Sequence, residues 1–365
     1  MIIDRRKGSI VYPVISGERK GLISSSVRGI LSLLSGLYSL IYERRLSSLS
    51  KREKDDIGVP VISVGNITLG GTGKTPICKY LAEEFGKRKK KAGVATRGYG
   101  REGTGTIILR RPEDNKTWHL TGDEPILFIS KEDDTVVAID VDRTRAGKAL
   151  VEKYDRDVVI LDDGFQFITL KRDVDIVVID AVQPFGFGKV FPAGLLREPI
   201  ENLNRADLFW ITKLECVNRD EVEKLKEYLK KEYPGKGIIT SKYKVSDVNG
   251  VFDCVEVPEI EDLRGRKLLC LSGIGNSESF ESMVEYISGT PRIAFRFTDH
   301  HPYGDGDLRD VEDTALKTGV DWIITTEKDV VRMPGHFKPR CKWLVMNIEI
   351  QIVEGHRYLE QILSL

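Results

Sequence analysis

Two α/β domains built on parallel sheets are predicted, and three observations predict them. Short apolar runs without polar alternation recur at 61–64, 136–139, 158–161, 174–179 and 208–212, separated by segments that can be helical. Strands buried on both faces and joined by helical crossovers read this way. The first run leads through a glycine-rich turn into a helical segment, and a second strand–glycine-turn–helix pattern, Lys267-Leu-Leu-Cys-Leu-Ser-Gly-Ile-Gly275, opens the C-terminal part. At 365 residues the chain has room for roughly two such cores.

The expected division is an N-terminal extension with an amphipathic helix (1–56), a phosphate-loop domain (57–237), a two-stranded β linker (238–263) and a smaller α/β domain (264–365). Lys+Arg and Asp+Glu balance at 56 each, which argues against a dedicated nucleic-acid binder. Residues 1–56 are the exception, with eleven Lys/Arg against six Asp/Glu. Cys78, Cys216, Cys254, Cys270 and Cys341 are scattered without a C-x-x-C pair, so neither a zinc site nor a disulfide framework is expected. Arg5-Arg6-Lys7 followed by polar residues does not resemble a secretory signal, which predicts a cytoplasmic nucleotide-binding part.

Within 22–42, Ile23, Val27, Ile30, Leu34, Leu37 and Ile41 repeat at helical spacing. Leu31 and Tyr38, with Leu33 and Leu40, widen the apolar face, and Ser25, Ser32 and Ser39 mark the opposite side. Arg28 and the serines argue against a bilayer-spanning helix. Two readings stand: an interfacial helix flanked by Arg19-Lys20 and Arg44-Arg45 that meet anionic headgroups, or a helix packed on its own domain.

The stretch Val61-Ile-Ser-Val-Gly-Asn-Ile-Thr-Leu-Gly-Gly-Thr-Gly-Lys-Thr-Pro76 reads as strand, glycine loop and helix, the phosphate-gripping loop of P-loop proteins. Thr68, Leu69, Gly70, Gly71, Thr72, Gly73, Lys74 and Thr75 are its candidate nucleotide-binding residues. Converging backbone amides and the helix N-terminus suit an anion, Lys74 can neutralise phosphate charge, and Thr75 can hold Mg²⁺. Thr68 stands where strict spacing has glycine.

A strand at 94–96 leads to Arg97-Gly-Tyr99-Gly-Arg101, either an anion or sugar site or a structural turn. Asp123, before Pro125, can act in chemistry or simply cap a helix. The strand at 158–161 ends in Asp162-Asp163, which places two carboxylates at a sheet's carboxyl edge downstream of a phosphate loop, where Mg²⁺ is held. Residues 184–199 form a long loop rich in glycine, proline and aromatics, beyond what a connection needs. Segments 238–245 and 251–257, joined through Asp247-Val-Asn249-Gly250, read as a β-hairpin. The second glycine turn lacks Lys-Thr and reads as tight packing in a Rossmann-like unit.

Taken together, these stretches resemble the tetraacyldisaccharide 4′-kinase family, the lipid A 4′-kinases of Gram-negative bacteria. Eight motifs in order carry the resemblance: the phosphate loop, Arg97-Gly-Tyr-Gly, Gly122-Asp-Glu-Pro, Asp140-Val-Asp-Arg143, Asp162-Asp-Gly-Phe-Gln166, Pro192-Ala-Gly-Leu-Leu-Arg-Glu-Pro199, Asp299-His300 and Thr325-Thr-Glu-Lys-Asp329. The first thirty or so residues lie outside it. The resemblance implies transfer of the ATP γ-phosphoryl, with Mg²⁺, to the 4′-hydroxyl of a lipid A disaccharide 1-phosphate. It also implies a peripheral or monotopic protein at the cytoplasmic face of the inner membrane, and a monomer is expected. By the same resemblance Asp123 is the general base, supported by His300. Lys74 and Thr75 serve phosphate and metal, Asp162 and Asp163 hold Mg²⁺ with Glu198 near it, and Arg97, Tyr99, Arg143, Gln166 and Arg197 grip phosphates or sugar. Pairing of Asp123 with His300 calls for domain closure.

Two positions depart from the family pattern: Phe187 stands where asparagine is usual, and Phe167 where histidine is usual. The competing reading is a membrane-peripheral GTPase or metallochaperone-type switch. Thr212-Lys213-Leu214-Glu215 approaches a guanine-reading motif but has Glu where that motif has Asp.

Overall fold

The computed structural model describes residues 1–5, 12–17, 19, 21–111, 118–129, 134–252 and 256–365. It divides into two compact units, Ser9–Tyr243 with Ile350–Leu365, and Met1–Gly8 with Lys244–Glu349.

In the larger unit the strands neighbour one another in the order Gly237–Gly250, Leu208–Thr212, Val174–Asp180, Val61–Gly65, Val158–Asp162, Ala92–Thr96, Val136–Ile139 and Ile107–Leu109. Every pairing is parallel except the last, which is antiparallel. Five consecutive buried residues in Val61–Gly65 and in Val158–Asp162 explain the unbroken apolar runs, because helices cover both faces. One face packs Phe165, Val177, Ile179, Leu203 and Phe209, and the other packs Val61, Ala95, Val136, Ala146 and Leu150. Val61–Gly65 is hydrogen-bonded on one side to Val158–Asp162, while the next strand in sequence, Ala92–Thr96, lies beyond it. The crevice at the carboxyl ends of such strands is where open parallel sheets bind ligands.

Asp140, at the end of Val136–Ile139, is buried and structural. Arg145 grips it through two bonds of 2.7 Å, and the Asp142 amide donates to it at 3.0 Å. Burial alone raises such a carboxyl, but the bonds from Arg145, Thr106 and Asp142 prevail and hold Asp140 at about 2. A carboxyl depressed in the folded state stabilises above its unfolded pKa of about 4 and loses that contribution as pH falls toward 2. Arg145→Ala is therefore expected to lower the urea midpoint at pH 7, with the gap from wild type closing between about pH 4 and pH 2. A gap of constant size across that window would exclude this ion pair as its source.

The smaller unit carries a parallel sheet in the order Ile2–Asp4, Ile293–Arg296, Leu268–Ser272, Trp322–Thr326 and Trp343–Glu354. Helices Ser277–Ser288 and Asp305–Thr318 accompany it. Its first strand lies in the extension that the sequence left unplaced. Ile3 pairs with Phe295, the Met1 ammonium donates to the Arg292 carbonyl at 2.9 Å, and Arg5 reaches Asp310 at 2.7 Å.

Three expectations change. Of the hairpin expected over 238–257, the described part is one 14-residue strand, Gly237–Gly250, followed by a bend at Val251, and residues 253–255 of the second arm lie outside the described residues. That strand and Trp343–Glu354 each start in one unit and end in the other, so the two-stranded passage is made by segments far apart in sequence. The C-terminal helix His356–Leu363 belongs to the larger unit, so the smaller one ends before residue 365.

The N-terminal helix runs Leu22–Ser50, longer than its apolar stripe. Its orientation reverses the usual one. Ser24 and Ser35 are buried, while Ile30, Leu34, Leu37 and Leu40 are exposed, Ile23 to 84% and Leu33 to 77%. No helix among the described residues is long and apolar enough to cross a membrane.

Candidate active site

The phosphate loop leaves the strand Val61–Gly65 and enters the helix Lys74–Lys87 through Gly73, whose φ of 92° only glycine adopts freely. A Cβ there would also lie 2.0 Å from the Tyr243 hydroxyl. Two neighbouring strand ends hold the loop. The Thr212 hydroxyl donates to the Thr72 carbonyl at 2.9 Å, and Lys213 donates to the Gly71 carbonyl at 2.7 Å while pairing with Asp180. Lys213 thus braces the loop's backbone. The Thr212–Glu215 stretch that approached a guanine-reading motif has its lysine committed elsewhere.

Lys74 donates to Asn66 Oδ1 at 3.1 Å and stands 3.4 Å from Asp163 Oδ1. Asn66 is fully buried and in turn donates to the Thr68 carbonyl at 2.7 Å, so it aims the lysine. This role was missed, although Asn66 lies inside the recognised motif. Thr75 follows Lys74 in the helix's first turn.

Asp162 and Asp163 end the adjacent strand but live in opposite environments. Burial favours the neutral acid at both. At Asp163, Lys74, Arg197 (whose Nη1 donates to both oxygens at 2.8 Å) and Arg143 overcome burial and hold the carboxyl at about 2. At Asp162, burial is reinforced by the negative charges of Glu124 and Asp163. Lys74 and a 2.9 Å bond from Thr96 oppose this only in part, and the carboxyl rises to about 7. Glu124 is thus a third carboxylate acting on this point, which its place beside Asp123 in sequence did not reveal.

Among the described residues no three His, Cys, Asp or Glu side chains form a ready-made metal cage. The donor set nevertheless fits Mg²⁺, which takes few protein ligands and prefers hard oxygens. Adjacent carboxylates that repel one another, one buried and one half-exposed, are what a dication relieves.

Asp123 is buried and accepts the Glu124 amide at 3.0 Å, capping the short 3₁₀ turn Glu124–Phe128. The cap and the chemical reading therefore coexist on one side chain. Gly122 precedes it at φ 87°, pressed against the Arg97–Gly100 loop, where a Cβ would lie 2.9 Å from the Tyr99 carbonyl. Arg97 and the exposed Tyr99 line an open cleft of about 420 Å³ with Arg101 and Val141.

The long loop at 184–199 pairs with the phosphate loop itself. The Leu69 amide donates to Leu195, and the Arg197 amide to Ile67, both at 2.7 Å. Three residues expected to meet ligands or metal also brace their surroundings. Gln166 uses both amide hydrogens, on the Asn66 carbonyl and Glu198, each at 2.8 Å. Glu198 is fully buried, and its two oxygens accept from Arg205 and Gln166. Arg143 is buried, donates to the Val141 carbonyl at 3.0 Å and lies over the Phe167 ring at 5.3 Å.

That contact gives the unusual Phe167 a role, since its ring face receives the cation. Phe187 adopts φ 66°, a left-handed geometry that asparagine tolerates and phenylalanine takes at about 1 kcal/mol. Its ring meets Tyr12 edge-on at 5.7 Å.

His300 belongs to the smaller unit, at φ 58°. Its amide donates to the Asp299 carboxylate at 3.0 Å, and its Nε2 lies 3.4 Å from the Lys328 ammonium. The second glycine turn is confirmed as packing: the Gly273 amide donates to Asp329, which is also held by Tyr303 and Arg332.

Comparison with known proteins follows the same lines. A family model described as Tetraacyldisaccharide-1-P 4′-kinase matches residues 27–365. A tetraacyldisaccharide 4′-kinase from Halothermothrix orenii is 31% identical over 348 residues, covering 91% of this chain and 90% of that one. One from Geobacter sulfurreducens is 34% identical over 336 residues, covering 88% of each. Among solved structures, the "apo" form of LpxK from Aquifex aeolicus in complex with ATP superposes with a TM-score of 0.71 at 27% identity. It covers 92% of this chain and 98% of that one.

Proposed function

The chain belongs to the tetraacyldisaccharide-1-P 4′-kinase family, and on that premise we propose which residues carry its reaction, the ATP-dependent phosphorylation of the 4′-hydroxyl of a lipid A disaccharide 1-phosphate. One observation supports the assignment above the others: Lys74, Asp162 and Asp163 converge at the mouth of a glycine loop, at the sheet's carboxyl edge.

The loop amides of 70–75 receive the phosphates, with Lys74 moving from Asp163 and Asn66 onto the β- and γ-oxygens. Thr75, Asp162 and Asp163 are the residues that would hold Mg²⁺, which when bound neutralises charge on the transferring phosphoryl group. Asp123 accepts the proton of the attacking sugar hydroxyl, and the resemblance alone assigns His300 to assist it. Arg197 fixes Asp163, and Glu198 fixes Gln166 and Arg205. Arg97 and Tyr99 offer the acceptor a cation and an aromatic edge.

The GTPase reading is not favoured, because Lys213 serves the loop's Gly71 carbonyl and Asp180. Labelled γ-phosphate supplied in ATP should appear on a lipid A disaccharide 1-phosphate presented in mixed micelles. Strict preference for GTP, or hydrolysis without any transfer, would sink the assignment.

The exposed apolar face of Leu22–Ser50 supports peripheral attachment to an anionic membrane surface, and the resemblance puts that surface at the cytoplasmic face. Such a patch on a helix is a docking signal when nothing in its own fold covers it. Changing Ile30, Leu34 and Leu37 together to Asp removes three inserting side chains. Vesicle partitioning should fall on the order of 10³-fold, taking roughly 1.5 kcal/mol for each. Unchanged co-sedimentation with anionic vesicles would exclude this face as the docking surface.

A further inference from the structure

The opposite side of the N-terminal helix has no part in that docking, yet it is the side with specific contacts. Ser35, Tyr38 and Tyr42 follow one another at helical spacings of three and four, so they share a face. The Ser35 hydroxyl donates to the Val190 carbonyl at 2.6 Å, and the Tyr38 hydroxyl to the Arg197 carbonyl at 3.0 Å. Tyr42 stacks on Tyr38 at 6.2 Å and faces the Glu198 carboxylate. Burial and that negative charge push the Tyr42 phenol above its ordinary value, which keeps it a donor. At the ends of this face, Lys189 donates to Ser32 at 3.3 Å and Asn202 to Glu43 at 2.9 Å.

All these partners but Asn202, which follows in the turn Ile200–Arg205, lie on the loop at 184–199, and that loop builds the catalytic edge. Its Arg197 holds Asp163 through two bonds, its Glu198 holds Gln166, and its backbone pairs with the phosphate loop at 67–69. A backbone carbonyl fixed by a phenol cannot drift without moving the side chain it carries. The helix therefore reaches the phosphate-binding edge through a single intermediate layer.

We propose that the inner face of the N-terminal helix is part of the catalytic scaffold, with Tyr38 as a positioning residue that sets Arg197 on Asp163 by holding the Arg197 carbonyl. The helix then has two jobs on two faces, surface docking outside and alignment of the phosphoryl-transfer edge inside. Tyr38 touches neither nucleotide nor acceptor in this role. Its loss should act on turnover and leave nucleotide affinity alone, since Arg197 grips the aspartate and not the loop amides that receive the phosphates.

The proposal rests on the kinase assignment, and the same assay separates the two. Wild-type transfer tests the assignment, and the ratio of variant to wild type tests the positioning role. Tyr38→Phe deletes one hydroxyl and keeps the ring. With full-length protein in mixed micelles, kcat should fall about five-fold, the loss of one hydrogen bond. KM for ATP, the thermal midpoint and vesicle co-sedimentation should stay at wild-type values. The double variant Tyr38→Phe, Ser35→Ala, which frees the loop at both carbonyls, should fall further in kcat with the same unchanged KM. Wild-type kcat in both variants overturns the proposal. So does a loss of kcat that travels with a lower thermal midpoint and a raised KM, because that pattern marks a merely structural contact.

Discussion

Asp123→Asn is expected to lower phosphoryl transfer about 10²- to 10⁴-fold, the usual contribution of a positioned general base. Asparagine is chosen over alanine because Asp123 also caps the turn at Glu124–Phe128 by accepting the Glu124 amide. An alanine there would remove the cap at a cost of about 1 kcal/mol and confuse misfolding with lost chemistry. Asparagine keeps an oxygen for that amide and removes only the ability to take a proton. KM for ATP and the affinity for a non-hydrolysable ATP analogue should remain within a few-fold of wild type. Near-normal turnover on the lipid acceptor would show that the proton of the 4′-hydroxyl leaves by another route, and Asp123 would revert to a capping residue.

Lys74→Ala should cut turnover roughly 10²- to 10³-fold or more, the loss that follows removal of one preorganised charge from a transferring oxyanion. It should also weaken ATP binding, which separates it from the Asp123 variant. The fold should survive. Lys74 is partly exposed at the loop's mouth, and Asp163 keeps both bonds from Arg197 Nη1 when the ammonium is gone. A variant that bound ATP and transferred phosphate like wild type would place the triphosphate elsewhere on the sheet. Together the two variants separate the donor side of the reaction from the acceptor side.

Several parts of this arrangement were legible in the chain because their causes are local. The strands Val61–Gly65, Val158–Asp162 and Leu208–Thr212 announce themselves as unbroken apolar runs, since a parallel sheet covered on both faces needs nothing polar within them. The phosphate loop is consecutive in sequence, and Gly73 is required there by its own φ. Asp162-Asp163 follows directly from ending a buried strand.

Other parts were invisible for an equally physical reason. Lys213 was weighed as a base-reading residue, and only packing shows that its ammonium reaches the Gly71 carbonyl, 142 positions away in sequence. Gln166 and Glu198 are joined by one bond and further held by the Asn66 carbonyl and Arg205, contacts that sequence spacing does not show. The hairpin at 238–257 failed because a strand's partner is chosen by the sheet, and a turn-like Asn249-Gly250 can equally end a single long strand. The N-terminal strand Ile2–Asp4 is too short to declare itself without the edge it joins.

The sequence by itself marked out the proposed donor side of this kinase, because a glycine loop, its lysine and a strand-end carboxylate pair are each encoded within a few consecutive residues. It also determined that 22–42 is an amphipathic helix. Only the tertiary structure decided which way that helix faces, with serines and tyrosines inward and the apolar stripe outward. Periodicity fixes which side chains share a face, but the loop at 184–199 chooses the face it binds. It does so through hydroxyl-to-carbonyl bonds such as Tyr38 to Arg197, between residues 159 positions apart.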